Sequence, residues 1–255
     1  MKRQWQFINS GWCSGEYNMQ FDVALATNLL EKGGMPVLRV YGWEPYAISL
    51  GYHQRRHDFD ETKCRDMGID IVRRPTGGRA ILHADELTYC VVMESERKNI
   101  SESYREISRA LERGLRILGA DVEYVSSQPN FSSLYRQQTS LPCFTSSARY
   151  EIRHNGKKLV GSAQRRYSSN GREVILQHGS ILLGSAHRRL SELLKVESLE
   201  IQAIIEHELE SKTTDLSEVL GRTVTFEETA YAVKTGFESE WEIGFIESEV
   251  AVEQH

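Results

Sequence analysis

Cys143 stands in "SLPCFTSSARYEI", between a proline and a phenylalanine, at the end of the polar stretch "SSQPNFSSLYRQQTSLPCFTSS". Among apolar side chains a free thiol is an inert small hydrophobe, but in a polar segment beside a cation it is a nucleophile. At an ordinary pKa of about 8.5 only a small fraction is thiolate at neutral pH, so the second role needs a base or cation nearby. Lys158, in "GKKLVGSAQRR", supplies one if the fold brings the two segments together, and is otherwise a solvated lysine at a hairpin. After it come Gly161, Ser162 and Ala163, small residues that let something pack against strand backbone. "RRPTGGRAILH" lacks the spacing of a Walker or dinucleotide loop. Its Gly77-Gly78 pair makes either a plain tight turn or a place where backbone N–H groups approach a ligand, with Arg73, Arg74 and Arg79 to hold phosphate or carboxylate. In "QHGSILL", His178 and Gly179 open a predicted buried strand, where the histidine is either a satisfied structural group or part of a site. Cys90 alternates within "ELTYCVVME" and reads as core, Cys64 falls in an amphipathic helix, and Cys13 lies near the N-terminal turn.

The elements that must position these residues are legible from periodicity. Residues 14–32 read as a helix with Tyr17, Phe21, Leu25 and Leu29 on one stripe, stopped by Gly33-Gly34. "VLRVYGW", "YAISLGY", "IDIVRR" and "ELTYCVVME" read as strands. A long helix follows, with Ser103 and Glu106 as a capping box and Tyr104, Ile107, Leu111, Leu115 and Leu118 as its buried stripe, ended by Gly119. "DVEYV", "ARYEI", "KKLVGSAQ" and "VILQHGSILL" are further strands, and Asn155-Gly156 and Asn170-Gly171 are hairpin turns. Hairpin strands flanking core helices predict an α+β fold with a mixed, mainly antiparallel sheet. No linker divides residues 1–185, which we expect to form one domain. Residues 186–255 turn helical, with Thr225 and Glu228 as a capping box and a stripe of Phe226, Val233, Phe237 and Trp241, and read as a small C-terminal helical appendage with a frayed end.

Bulk properties narrow the functional class. The 255 residues hold enough apolar side chains, 40%, for a sizeable core, and no apolar run or N-terminal h-region predicts a membrane span or export. Four widely spaced cysteines without a C-x-x-C predict neither a disulfide framework nor a cysteine-paired zinc site, so a reducing cytoplasm is expected. A net charge of -5 argues against nucleic acid as a bulk partner. The basic pairs Arg55-Arg56, Arg73-Arg74, Lys157-Lys158, Arg165-Arg166 and Arg188-Arg189 are solvated surface taken singly; gathered on one side they make a dock for an acidic protein or a phosphate.

In their order and spacing, "RRPTGGRAILHADELTY", "GKKLVGSAQRR" and "ILQHGSILL" resemble the superfamily of lipoate ligases, biotin ligases and octanoyltransferases, and "ISLGYHQ" resembles its early strand motif. The resemblance runs from about Trp12 to Leu183 and implies a biotin/lipoate ligase-like catalytic domain. Arg79 stands where ATP-dependent ligases typically carry a third glycine, and "HADEL" where they carry H-D-x-G-N. Together with Glu86-Leu87-Thr88-Tyr89, "PCF" and "GSAQRR", these resemble the LipM type of octanoyltransferase. That resemblance implies transfer of octanoyl from octanoyl-acyl carrier protein to a lipoyl-domain lysine, typically of the glycine cleavage H protein, without cofactor or metal. It implies that Cys143 takes the acyl group and that Lys158 is the family's catalytic lysine. It also implies that Arg73, Arg74, Gly77, Gly78, His83, Gly161, Ser162, Ala163, Gln164, His178 and Gly179 line the acyl and pantetheine pocket. Thr145 and Ala148, after "PCF", fall in a segment that varies, which bears on acceptor preference. The rival readings are an ATP-dependent lipoate ligase, an amidotransferase between lipoyl domains, and a binding module without turnover.

Overall fold

The chain runs β1 (Gln4–Cys13), α1 (Gly15–Lys32), β2 (Val37–Trp43), β3 (Ala47–Leu50), α2 (Glu61–Asp66), β4 (Asp70–Arg73), β5 (Ile81–His83), β6 (Glu86–Glu94) and α3 (Ile100–Ile117). It continues through β7 (Glu123–Ser126), β8 (Tyr150–His154), β9 (Lys157–Ser169), β10 (Arg172–Leu182), a 3-10 stretch (Ser185–Leu193), α4 (Leu199–Lys212), α5 (Leu216–Leu220), α6 (Phe226–Trp241) and β11 (Gly244–Glu247). This computed structural model describes residues 2–126, 150–196 and 198–248. The main sheet has the order β11-β1-β2-β6-β10-β9-β8-β7, and a small sheet has the order β4-β3-β5. Among the described residues only the β1 pairings in the main sheet are parallel, so the sheet is mixed and mainly antiparallel, as the hairpin signals predict. Both Asn-Gly turns carry positive φ at each central residue, 48° and 76° at Asn155 and Gly156 and 50° and 76° at Asn170 and Gly171, the geometry that matches strand twist.

Local signals set the helix ends. Ser14 caps α1 through the Tyr17 N–H, and Gly33, at φ 72°, closes it. On α3 the capping box is Asn99 with Glu102, a correction to the expected Ser103 and Glu106. The helix starts a turn earlier, so Ser103 already bonds back to the Asn99 carbonyl at 3.1 Å and Glu106 is free to pair with Lys98 at 2.8 Å. Thr225 caps α6 through the Glu228 N–H, but the Glu228 carboxylate pairs with Arg222 instead of returning to the cap.

The main sheet buries both faces. Leu38, Val40, Tyr89 and Val91 face α3 and α6, joining Ile107, Leu111, Leu115, Val233 and Phe237 in one core. The opposite face, with Val37, Tyr41, Trp43, Cys90, Val92 and Leu176, receives α1 through Met19, Ala26 and Leu29. The expected α1 stripe is one position out of phase: besides Leu29, its buried residues are Gly15, Asn18, Met19, Asp22 and Ala26. Strand β1 was not expected from the sequence, nor β11, which pairs with it in parallel. Among the described residues no helix is long and apolar enough to cross a membrane.

Candidate active site

Antiparallel register builds the site row by row. Arg39, Cys90, His178 and Ala163 stand side by side on β2, β6, β10 and β9, and Tyr41, Thr88, Ser180 and Gly161 form the next row on the same face. Polar groups at these positions lie under α1 and the small sheet, where each must be satisfied. Arg39, fully buried, donates to Asp22 Oδ1 at 2.7 Å, Asn18 Oδ1 at 2.7 Å and Ser10 Oγ at 2.8 Å, and stacks 3.9 Å from the Tyr41 ring. Burial alone would raise the Asp22 carboxyl, but the His178 hydrogen bond and the Arg39 charge outweigh it and hold Asp22 below the usual carboxylate range.

His83 on β5 stacks on Trp43 with ring centroids 3.9 Å apart, its Nε2 is 2.7 Å from Ser49 Oγ, and its Nδ1 is 2.8 Å from Glu86 Oε1. The same Glu86 oxygen accepts from Ser180 at 2.9 Å and Thr88 at 2.5 Å. Among the described residues Glu86 Oε2 has no hydrogen-bond partner, a buried acceptor that a bound group can satisfy.

The glycine-rich turn sits above these rows and is fastened from several sides. Arg74, buried, donates to the carbonyls of Ser49 at 2.8 Å, Gly77 at 3.0 Å and Arg79 at 2.6 Å. Arg73 donates to the carbonyls of Gly51 at 2.8 Å and Tyr52 at 2.9 Å. Arg73 and Arg74 thus brace the turn. Arg165, from β9, reaches the Pro75 carbonyl at 3.0 Å and lies between the Tyr52 and Tyr167 rings. A Cβ at Gly51 would stand 1.9 Å from the Gly78 carbonyl oxygen, so the two loops touch backbone to backbone.

The remaining motif residues divide between the faces. Gly161, Ala163 and His178 share the α1 face with the turn. Ser162 and Gln164 point the other way: Ser162 Oγ is 2.7 Å from the Tyr89 hydroxyl and Gln164 is 3.0 Å from Gln177. Gly179 leaves room for backbone, since a Cβ there would meet the Gly161 carbonyl at 2.3 Å.

Lys158 is buried rather than solvated. Ile152 faces Val160 but Arg153 faces Lys158, so β9 holds one extra residue, Leu159. Such a bulge turns the following side chain toward the other face of a sheet. Lys158 Nζ meets Glu151 Oε1 at 3.0 Å, and Glu151 Oε2 accepts twice from Arg153, at 2.6 and 2.9 Å. The Lys158 carbonyl accepts from the Thr214 N–H at 3.0 Å. Cys143 lies outside the described residues, as do Thr145 and Ala148. Cys13, Cys64 and Cys90 are buried, and burial pushes each thiol up, least suited to nucleophilic attack at Cys90. Among the described residues no group of three His, Cys, Asp or Glu side chains is placed to hold a metal ion. The sequence names Glu86 only within a family motif and Arg165 only as half of a basic pair, and it does not single out Asp22, Arg39 or Thr76 as site residues; Asp22 and Arg39 in particular are visible only as polar residues inside otherwise apolar periodic segments.

Residues 14–238 match the family model of the lipoyl protein ligase A/B catalytic domain. The chain is 37% identical over 243 residues to the Octanoyltransferase LipM of Geobacillus kaustophilus, covering 93% of this chain and 86% of that protein. It is 35% identical to the Octanoyltransferase LipM of Bacillus subtilis, again over 93% and 86% of the two chains. Among solved structures, the bipartite lipoate protein ligase of Thermoplasma acidophilum superposes with TM-score 0.74 at 22% identity, over 98% of this chain and 88% of that one. Lipoate-protein ligase A bound with ATP gives TM-score 0.72 at 22% identity, over 98% and 90%, and these two share the fold. The family match over residues 14–238 and the identities over nearly the whole chain show that the chain belongs to the lipoyl protein ligase A/B catalytic domain family, with its curated relatives among the octanoyltransferases LipM.

Proposed function

We propose that this chain is a cytoplasmic octanoyltransferase of lipoate biosynthesis, moving octanoyl from octanoyl-acyl carrier protein through a Cys143 thioester to the lipoyl-domain lysine of the glycine cleavage H protein. The observation that carries the reading is the identity with octanoyltransferases LipM over nearly the whole chain. The buried Lys158, held on Glu151 beside a second cation, supports it.

In the first step the Cys143 thiolate attacks the octanoyl thioester carbonyl. The carbon–sulfur bond to pantetheine breaks, Lys158 gives its proton to the departing thiolate, and octanoyl is left on Cys143. In the second step the neutral acceptor lysine attacks the acyl-Cys143 thioester, the carbon–sulfur bond breaks, Lys158, left neutral by the first step, takes the proton that nitrogen sheds as the amide forms, and Cys143 returns as thiolate. A thioester is consumed and a more stable amide is made, so the transfer draws no energy from ATP. Backbone N–H groups of the Gly77-Gly78 turn are the candidates for holding the oxyanion in both steps. The acyl chain gains about 0.8 kcal/mol per CH₂ buried, so the end of its slot selects chain length.

The test is the intact mass of the protein after mixing with octanoyl-acyl carrier protein without ATP. An octanoyl adduct that maps to Cys143, is lost in Cys143→Ala and forms at least about tenfold more slowly in Lys158→Ala is the expected result. Transfer that appears only with ATP and free lipoate would overturn the reading in favour of a ligase.

A further inference from the structure

A hydrogen-bonded line runs from α1 through the sheet into the glycine-rich turn. Asp22, on the buried face of α1, accepts through Oδ2 from the Tyr41 hydroxyl at 2.9 Å and lies 3.0 Å from His178 Nδ1. The other ring nitrogen of His178, Nε2, is 2.8 Å from Thr76 Oγ1, and Thr76 precedes Gly77-Gly78. Asp22, His178 and Thr76 are 0%, 5% and 1% exposed, so water does not substitute for any of these contacts.

The direction of each hydrogen bond follows from the two ends. Asp22 pairs with the Arg39 guanidinium and, being ionised, only accepts; Nδ1 of His178 therefore donates. Burial lowers the proton affinity of His178, outweighing the pull of Asp22, so the ring is neutral and Nε2 accepts from the Thr76 hydroxyl. The Thr76 side chain is thereby fixed in one rotamer, while its carbonyl accepts from the Tyr52 N–H at 2.9 Å.

We propose that Asp22 is a positioning residue: acting through His178, it orients Thr76 and so fixes the Gly77-Gly78 backbone against which the acyl thioester binds. The positioning rests on the geometry above, and its consequence for the thioester rests on the octanoyltransferase reading. A purely architectural Asp22 would serve only to neutralise Arg39; the line to the turn assigns it a second task at a site two contacts away.

Thr76→Val, Thr76→Ser and Asp22→Asn, each checked for native melting, test this in the full chain. Two readouts are independent of activity: the imidazole nitrogen shifts of His178 and the hydrogen exchange of the Gly77 and Gly78 amides. Wild type is expected to show the Nδ1–H tautomer. Thr76→Val and Asp22→Asn should speed exchange at Gly77 and Gly78 by about tenfold or more, and Thr76→Ser should restore it. With octanoyl-acyl carrier protein the first two should raise KM by about tenfold while Thr76→Ser stays within about threefold of wild type. A folded Thr76→Val with wild-type exchange at both glycines, or an Nε2–H tautomer in wild type, overturns the proposal even if Asp22→Asn does not fold. Altered exchange in a protein that transfers no octanoyl would uphold the positioning and sink the functional reading instead.

Discussion

Lys158 enters the interior because β9 carries one residue too many, and once inside it needs a carboxylate. Glu151 serves both Lys158 and Arg153, so one buried anion answers two cations. Removing one member of such a group costs about 3–5 kcal/mol, mostly the penalty on the charge left behind, whereas removing both partners costs much less. Glu151→Gln is therefore expected to lower stability by about that amount, and Glu151→Gln with Lys158→Met to recover more than half of it in urea titrations. Additive losses in this cycle would mean the pair is not coupled. His187 makes a second residue-level case. It is buried with Nε2 2.8 Å from Thr213 Oγ1 and Nδ1 3.2 Å from the Gly184 carbonyl, and burial pushes it from 6.5 down to about 4. Across that window the unfolded chain binds a proton that the folded chain refuses. The histidine's contribution is fully present above about 6.5 and is lost as pH falls toward about 4, by roughly 3 kcal/mol. His187→Gln should flatten the fall in urea stability between about pH 7 and pH 4 relative to wild type; parallel curves would show that His187 is not the group that titrates.

Helices α3 and α6 meet through glycine. A Cβ on Gly236 would stand 2.4 Å from the Gly114 nitrogen and 2.5 Å from the Ala110 carbonyl oxygen, and one on Gly114 would stand 2.6 Å from the Ala232 carbonyl oxygen. Alanine ordinarily gains about 1 kcal/mol over glycine inside a helix, but backbone atoms cannot move aside as a side chain can, and overpacking costs about 1–3 kcal/mol or more. The clash should win: Gly236→Ala is expected to lower Tm by several degrees, while an unchanged or raised Tm would show that the helices separate freely. Elements of this kind divide by how local their cause is. β2, β6, β9 and β10 were legible because β-branched runs and Asn-Gly turns are local, and the Lys158 and glycine-turn motifs lie on or beside them. The phase of α1 was not, because Asn18 and Asp22 take the inward positions an apolar stripe would claim, and their reason is Arg39 on another strand. β11 is a four-residue edge strand paired to residues 240 positions away, and no window of sequence carries that information. The line from Asp22 through His178 to Thr76 was illegible on the same ground, since its members are 156 and 102 residues apart.

At the scale of the molecule, the C-terminal helices and the sheet that bears the site share one interior. Leu209 of α4 and Val233 and Phe237 of α6 belong to the same buried cluster as Trp5, Phe7, Leu111 and Leu115. The Trp241 ring stands 5.0 Å from Trp5 on β1 and 4.9 Å from Phe237, so its environment reports the docking of α6 on the sheet. The connection between α4 and α5 also touches Lys158, where the Thr214 N–H holds the Lys158 carbonyl and Thr213 bridges the same residue. Nothing in this arrangement lets residues 186–248 leave without exposing apolar surface of the rest, which is the condition for all-or-none unfolding. The protein is therefore expected to unfold in one transition: tryptophan fluorescence, far-UV dichroism and, on the proposed function, octanoyl-adduct formation should share a urea midpoint, and calorimetric and van't Hoff enthalpies should agree. An early tryptophan transition that leaves adduct formation intact would show that the C-terminal helices stand apart and that Lys158 keeps its place without Thr214. Coincident loss would tie the support of Lys158 to the integrity of the whole core.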